Sequence, residues 1–294
     1  MKVREIISEA IHFPIDDYKS WLTLGALYLI ATLLSMSLDY INGGIGFIFG
    51  IISMIIFIMI YGYSLDIKRN TIHGINELPK LDFTKNLVDG VKTIFVTIVY
   101  TIIPLIITLI IAYPLGLYSN TYNLINAYDA NYSTLVANGT SNVDAFISVI
   151  SGNSTVIPSN IVSSFMSSLM ITILIGIILL IIFSIFEVIG NARLAETDSI
   201  SAALNLKAVI EKINSIGWGR YLSFIILLIL TSIGIGIIGG VILMIPVVGS
   251  LIEALVIQSL LLIFLARSIG LIYRNDEDQN NQFNQIEQLN QIDF

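Results

Sequence analysis

The sequence predicts an all-α polytopic membrane protein: six transmembrane helices, with amphipathic interfacial helices on the cytoplasmic side. Three observations carry this. Of the 294 residues, 55% are hydrophobic and 12% charged, about half the charged share of a soluble domain. The apolar residues gather into six runs near the roughly 20 residues that cross a hydrocarbon core. All 14 Lys and Arg fall at the amino terminus, in the second-to-third and fourth-to-fifth loops, or at and after the end of the sixth span. Cysteine is absent, which excludes a disulfide framework, a thiolate nucleophile and a cysteine metal site. The net charge of −7 hides basic membrane flanks, because five acids lie in the last 19 residues.

Taken in order, Met1 to Lys19 places Ile6, Ile7, Ala10, Ile11 and Phe13 at helical spacing among charges. That pattern predicts an interfacial helix, ended by Pro14. Its mixed charges, and the lack of a small-residue cleavage site, argue against a signal peptide. The first span is 21–38, with Trp21 and Tyr18 suited to the headgroup level. A tight turn at Asp39–Gly44 leads into the second span, 45–65, where Gly46 and Gly50 have the spacing for close helix approach. Asp66 to Lys92 is polar and holds Lys68, Arg69, Lys80, Lys85 and Lys92. Within it Asp82 is placed to cap a helix that runs into the third span, 93–115, where Pro104 predicts a kink.

Residues 116–161 read as a long extracytoplasmic loop without Lys or Arg. It carries sequons at Asn131, Asn138 and Asn153, candidate glycosylation sites, and a short apolar helix near 143–150. The fourth span is 162–189. A second amphipathic segment follows, starting at Thr197-Asp198-Ser199 with a stripe of Leu206, Val209, Ile210 and Ile213. The fifth and sixth spans are 221–243 and 247–271, joined by a very short turn. Residues 275–294 are acidic and rich in Asn and Gln, the composition of a disordered tail.

The basic residues fall at the amino terminus, in two loops and at the end of the sixth span. Six spans with both termini in the cytoplasm satisfy the positive-inside rule at every loop, and the cell membrane is the expected location. Each cytoplasmic segment pairs an amphipathic helix with an outgoing and an incoming span, with units starting near Met1, Leu78 and Asp198. This is either a threefold repeat or the look of any six-span protein with basic inner loops.

His73-Gly-Ile-Asn-Glu-Leu-Pro79 is followed by Asn86-Leu-Val-Asp-Gly-Val-Lys92. Asn191-Ala-Arg-Leu-Ala-Glu-Thr197 is followed by Ile216-Gly-Trp-Gly-Arg-Tyr-Leu222. With Ala10-Ile-His-Phe-Pro14, these segments resemble an archaeal membrane family catalogued as domain of unknown function 4013. The resemblance covers nearly all of 1–274. It implies a multi-span membrane protein and supplies no catalytic residue.

His12 and His73 are the only histidines and show no metal-ligand spacing. No catalytic motif is found, so neither an enzyme nor a cofactor is expected. Within the spans, the ionisable residues are Glu187, Glu253 and Arg267. Glu187 and Arg267 share a depth near the inner face and are a candidate ion pair. Lys80, Lys85, Lys207, Lys212 and Arg220 are candidate contacts for anionic lipid head groups, or topology signals alone. The expected partner is the lipid bilayer, not nucleic acid. The expected role is that of a structural or accessory membrane component, with a permease for a small or lipid-like solute as the alternative. Single cysteines at Asn138, Ser154 and Gly249 should label from outside intact cells. Those at Asn76 and Asn205 should label only after permeabilisation, and outside labelling at Asn205 would refute the six-span topology.

Overall fold

The computed structural model describes residues 1–40, 44–150 and 157–274. The turn residues 41–43, the sequon at Asn153 and the tail 275–294 lie outside the described residues. The described chain is helical between short connections, with no strand among the described residues. The order is α1 (Val3–Asp16), α2 (Tyr18–Tyr40), α3 (Gly44–Ile72), α4 (Phe83–Ala112), α5 (Leu117–Ala137), α6 (Asn142–Ile150), α7 (Ser159–Thr197), α8 (Ile200–Ala203), α9 (Leu206–Ile216) and α10 (Trp218–Leu243). A last helix spans Val248–Arg274. Six of these, α2, α3, α4, α7, α10 and the last helix, are long and apolar enough to cross a membrane. The class read from sequence is therefore the observed one, and the chain is a multi-pass membrane protein.

The chain divides into two compact units. One holds Met1–Val99 with the described part of Ile185–Phe294; the other is Tyr100–Ser184. In the first unit, α1, α2, α3 and the last helix share a core of Phe13, Leu24, Ile60, Tyr63, Ile67, Leu78, Ile263 and Ala266. The helix backbones touch at glycines that sequence reading does not single out. A Cβ on Gly62 would lie 1.8 Å from the Asn86 carbonyl oxygen, and one on Gly90 would lie 1.9 Å from that of Ile58. These reciprocal contacts bring α3 and α4 to backbone distance, the approach that small residues allow in membranes. A Cβ on Gly25 would likewise lie 1.9 Å from the Leu255 carbonyl oxygen, against the last helix.

That last helix is wound as a π-helix over Glu253–Gln258, a wide turn often found at functional positions. The i,i+5 spacing sets Gln258 Nε2 2.9 Å from Glu253 Oε2. Just beyond it, Ser259 Oγ accepts the Trp21 indole N–H at 2.9 Å, so Trp21 is engaged with its neighbour as well as suited to the headgroup level. Gly249, at the opening of this helix, would place a Cβ 2.1 Å from the Ile242 carbonyl oxygen. The cysteine reporter for that turn therefore belongs at the exposed Met244.

Local chemistry sets the boundaries. Asp82 Oδ1 accepts the Lys85 N–H at 3.0 Å, and Asn86 Oδ1 accepts the Asp82 N–H at 3.0 Å, which caps α4 as expected. The α1 helix continues past Pro14 to Asp16; in the last turn, the bond that proline removes ends little helix. Helix α4 also runs through Pro104. The second amphipathic segment is two helices rather than one. Ser199 caps α8, Asn205 caps α9, and Val209, Ile213 and Ile216 are buried while Leu206 and Ile210 are exposed.

The second unit changes the reading of residues 116–161 most. Most of the expected loop is the helix α5, while α6 is the short helix expected near 143–150. Asn, Ser and Thr are weak helix formers, and tertiary bonds override that preference here. Asn120 Nδ2 donates to the Ser164 carbonyl oxygen and to Ser168 Oγ, both at 3.2 Å, which holds α5 against α7.

Backbone contact at Gly62 makes a specific demand. Gly62→Ala should destabilise the protein in detergent by roughly 2 kcal/mol or more, because its Cβ overlaps α4. Gly234 faces open space, so Gly234→Ala should be neutral or stabilising by up to ~1 kcal/mol. Thermal unfolding of both variants checks this, and equal midpoints would show that α3 and α4 are not in backbone contact.

Candidate functional site

The residue types that carry chemistry converge at the basic end of the first unit. The site begins with Asp66 and Arg69, one turn apart near the end of α3. Arg69 is a planar fork of donors. Its Nη1 donates to Asp66 and, at 2.9 Å, to Asp89 Oδ2 of α4; its Nη2 reaches Asp198 Oδ1 at 3.3 Å; its Nε donates to the Ala195 carbonyl oxygen at 3.2 Å. One guanidinium thus joins α3, α4, α7 and the residue after α7.

The acids are shared in turn. Asp66 also accepts Lys85 Nζ at 2.5 Å and Asn86 Nδ2 at 2.7 Å. Lys92 Nζ bridges Asp198 Oδ1 at 2.9 Å and Asp89 Oδ1 at 3.6 Å. Three bases face three acids, so the cluster is formally neutral. Asp66 and Asp89 are buried, whereas Lys85 and Asp198 reach solvent. Asp198 adopts φ 55°, a left-handed conformation that Asp tolerates better than most residues, and this turns its carboxylate onto Arg69 and Lys92. A pocket of about 540 Å³ opens here, lined by Asp82, Thr84, Lys85 and Val88 with Arg69, Asp89, Lys92 and Asp198.

A second arginine joins other segments of the unit. Arg267, on the last helix, is 2% exposed. Its Nη2 donates to Glu9 Oε1 at 2.6 Å and to Asn76 Oδ1 at 2.8 Å. Its Nη1 lies 3.3 Å from Thr71 Oγ1 and from the Ile75 carbonyl oxygen. The guanidinium stacks 4.2 Å from the centroid of Phe13, a cation–π contact. Arg267 therefore fastens α1 and the residues after α3 to the last helix.

The structure does not bring Glu187 and Arg267 together. Arg267 takes Glu9 as its acid, and Glu187 Oε1 accepts from Thr97 Oγ1 at 2.6 Å and Asn191 Nδ2 at 3.3 Å. Shared depth is one coordinate, and position around the bundle, which sequence does not supply, decides the partner. Of the five bases considered for head groups, Lys80, Lys85 and Lys207 are exposed, and Lys207 Nζ lies 4.0 Å from Glu211 Oε1. Lys85 is spent on Asp66, Lys212 lies 4.2 Å over the Tyr273 ring, and Arg220 Nη2 donates to the Met1 carbonyl oxygen at 2.9 Å. Among the sequons, Asn131 is buried and Asn138 exposed. The His12 and His73 rings each meet a backbone carbonyl four residues back, at 2.7 and 2.8 Å. No metal-binding group of His, Asp and Glu occurs among the described residues.

The Arg69 cluster is what sequence reading misses. Its signal was present: Asp66 lies beside Lys68 and Arg69, and Lys85, Asp89 and Lys92 are spaced four and three apart on one helix face. A count of bases alone passes over those acids.

A family model described as "Protein of unknown function (DUF4013)" matches residues 45–248, more than half of the chain, and the chain belongs to that family. No curated protein and no solved structure matches it.

The Arg267 geometry gives a measurable coupling. Arg267→Gln should cost about 2–3 kcal/mol, below the ~3–5 of a fully buried pair because the Glu9 carboxylate still reaches water. A double-mutant cycle of Arg267→Gln with Glu9→Gln should show ~1 kcal/mol or more of coupling. The cycle with Glu187→Gln should be additive within about 0.5 kcal/mol. Strong coupling to Glu187 would reassign the pair.

Proposed function

We propose that this protein is a structural or accessory component of the cell membrane, with both termini on the cytoplasmic side. The observation that supports this reading most is the self-neutralised Arg69 cluster. Its charges are directed at one another across α3, α4 and the end of α7, so their energy goes into holding helices together. The cytoplasmic orientation rests on the positions of the basic residues. Anionic lipid is the proposed partner at that face, met by Lys80 and Lys207, which project from it exposed. Of the two described sequons, Asn138, exposed after α5, is the better placed to carry a glycan.

One observation favours the permease alternative. The π-helical turn holds Glu253 against Gln258. Beside it a groove of about 390 Å³ is lined by Tyr28, Tyr61 and Gln258 among apolar side chains. A carboxylate near a partly polar groove in a span is a reasonable solute contact.

Reconstitution separates the two roles. For an accessory component, proteoliposomes should show no solute flux above empty vesicles, and Lys80→Gln with Lys207→Gln should reduce the anionic lipid retained in native mass spectrometry. Solute flux lost on Glu253→Gln would instead establish the permease.

A further inference from the structure

The chain leaves the outer end of α4 through a turn that its own residues dictate. Pro114 has no N–H with which to extend the helix, and Gly116 takes φ 75°, a left-handed conformation open to glycine. The Gly116 N–H donates to the Tyr113 carbonyl oxygen at 3.0 Å, and the chain reverses into α5. Two contacts then fix where the first turns of α5 lie. The Tyr118 hydroxyl donates to the Leu109 carbonyl oxygen at 2.9 Å, in the last turn of α4. Asn120 Nδ2 holds Ser164 and Ser168 near the start of α7. The start of α5 is therefore folded back beside two spans.

That level is the edge of the hydrocarbon. Ala112, where α4 ends, lies 20 residues beyond Lys92, the last charged residue of that helix. At 1.5 Å per residue this is about 30 Å, one hydrocarbon thickness. Both spans turn large apolar side chains outward here: Leu109 and Ile110 on α4, Met166 and Met170 on α7. Such a surface suits acyl chains, which are as apolar as leucine.

Helix α5 continues the same surface. Tyr118, Tyr122 and Ile125 are four and three apart and so share one face. All are exposed, Tyr122 at 66% and Ile125 at 60%. Tyr113 adjoins them, its ring 6.2 Å from that of Tyr118. Asp129, next on that line, ends the stripe. Beside the stripe, Ser119, Asn123 and Asn126 are also exposed, whereas Asn120 and Leu124 on the remaining side are half-buried. The first half of α5 thus has an apolar face, a polar face and a protein face.

We propose that the first half of α5 is an interfacial helix seated in the bilayer surface at the outer ends of α4 and α7. Tyr118, Tyr122 and Ile125 meet the acyl boundary, and Ser119, Asn123 and Asn126 face water. Tyrosine fits this level because its ring is apolar and its hydroxyl polar. Residues 116–161 contain no Lys or Arg, so apolar burial holds the helix, without attraction to anionic head groups. By the positive-inside rule the leaflet is the extracytoplasmic one. The inference goes beyond the accessory role and does not rest on it.

Because the chain has no cysteine, single cysteines can be spin-labelled in the full chain, reconstituted in phosphatidylcholine nanodiscs. Collisions with oxygen, which partitions into lipid, are compared with those of a neutral, water-soluble nickel chelate. Tyr122→Cys and Ile125→Cys should each favour oxygen over nickel several-fold more than Asn123→Cys and Asn126→Cys do. Adding anionic lipid should leave the ratios unchanged, and a dependence on it would overturn attachment by apolar burial. Equal nickel access at all four positions would overturn the proposal in favour of a solvated helix. Low access of both reagents at 122 and 125, with dipolar broadening, would overturn it in favour of contact with a second copy of this chain. Either apolar-face variant suffices if the other does not fold. If neither folds, hydroxyl-radical labelling of the wild type in the same nanodiscs replaces them. Tyr122 should then be protected, and strong labelling there would overturn the proposal.

Discussion

The basic end of the first unit depends on the burial of Asp66. Its side chain is 3% exposed, and an unpaired charge buried there would oppose folding by several kcal/mol. Donors from two helices remove the penalty: Arg69 from its own helix, and Lys85 and Asn86 from α4. Those α4 donors reach it because Gly62 and Gly90 let the two backbones touch. Charge pairing and glycine packing are therefore one device. A larger residue at either glycine separates the helices and strands the carboxylate as well.

From Asp66 the dependence passes outward through Arg69. A lysine there would present a single point charge. The guanidinium presents a fork that can satisfy Asp89, Asp198 and the Ala195 carbonyl together. The end of α7 is held by this fork, which explains why Asp198 takes up a positive φ. The short helices that follow are fixed from another side, through Lys212 on Tyr273 and Tyr273 on Glu196. Arg267 repeats the principle with different partners, so two arginines, each engaging several segments, tie the connecting segments of the first unit to its long helices.

The spans were legible because their signal is additive along the chain: twenty apolar residues outvote any local exception. Capping at Asp82 and Asn205 was equally local, and Asp82 was read correctly. What sequence did not disclose depends on rotation about helix axes and on contacts between distant segments. Glu187 and Arg267 match in depth yet face different partners. Residues 117–137 have poor helix formers, and a bond from Asn120 to Ser168, 48 positions away, helps hold them helical. The π-helical turn at Glu253 also leaves no compositional trace.

A final point concerns what the basic residues do after insertion. The positive-inside rule counts Lys and Arg and gives acids little weight, as suits a chain that has not yet packed. In the folded protein the acids decide. Lys85 and Lys92, equivalent to Lys80 by charge count, are drawn onto Asp66, Asp89 and Asp198, while Lys80 remains exposed. In the fold these charges are the internal counter-charge that lets the acids be buried. A charge count from sequence therefore overstates the positive charge left unpaired on this face, because Arg69, Lys85 and Lys92 are engaged in holding the helices together.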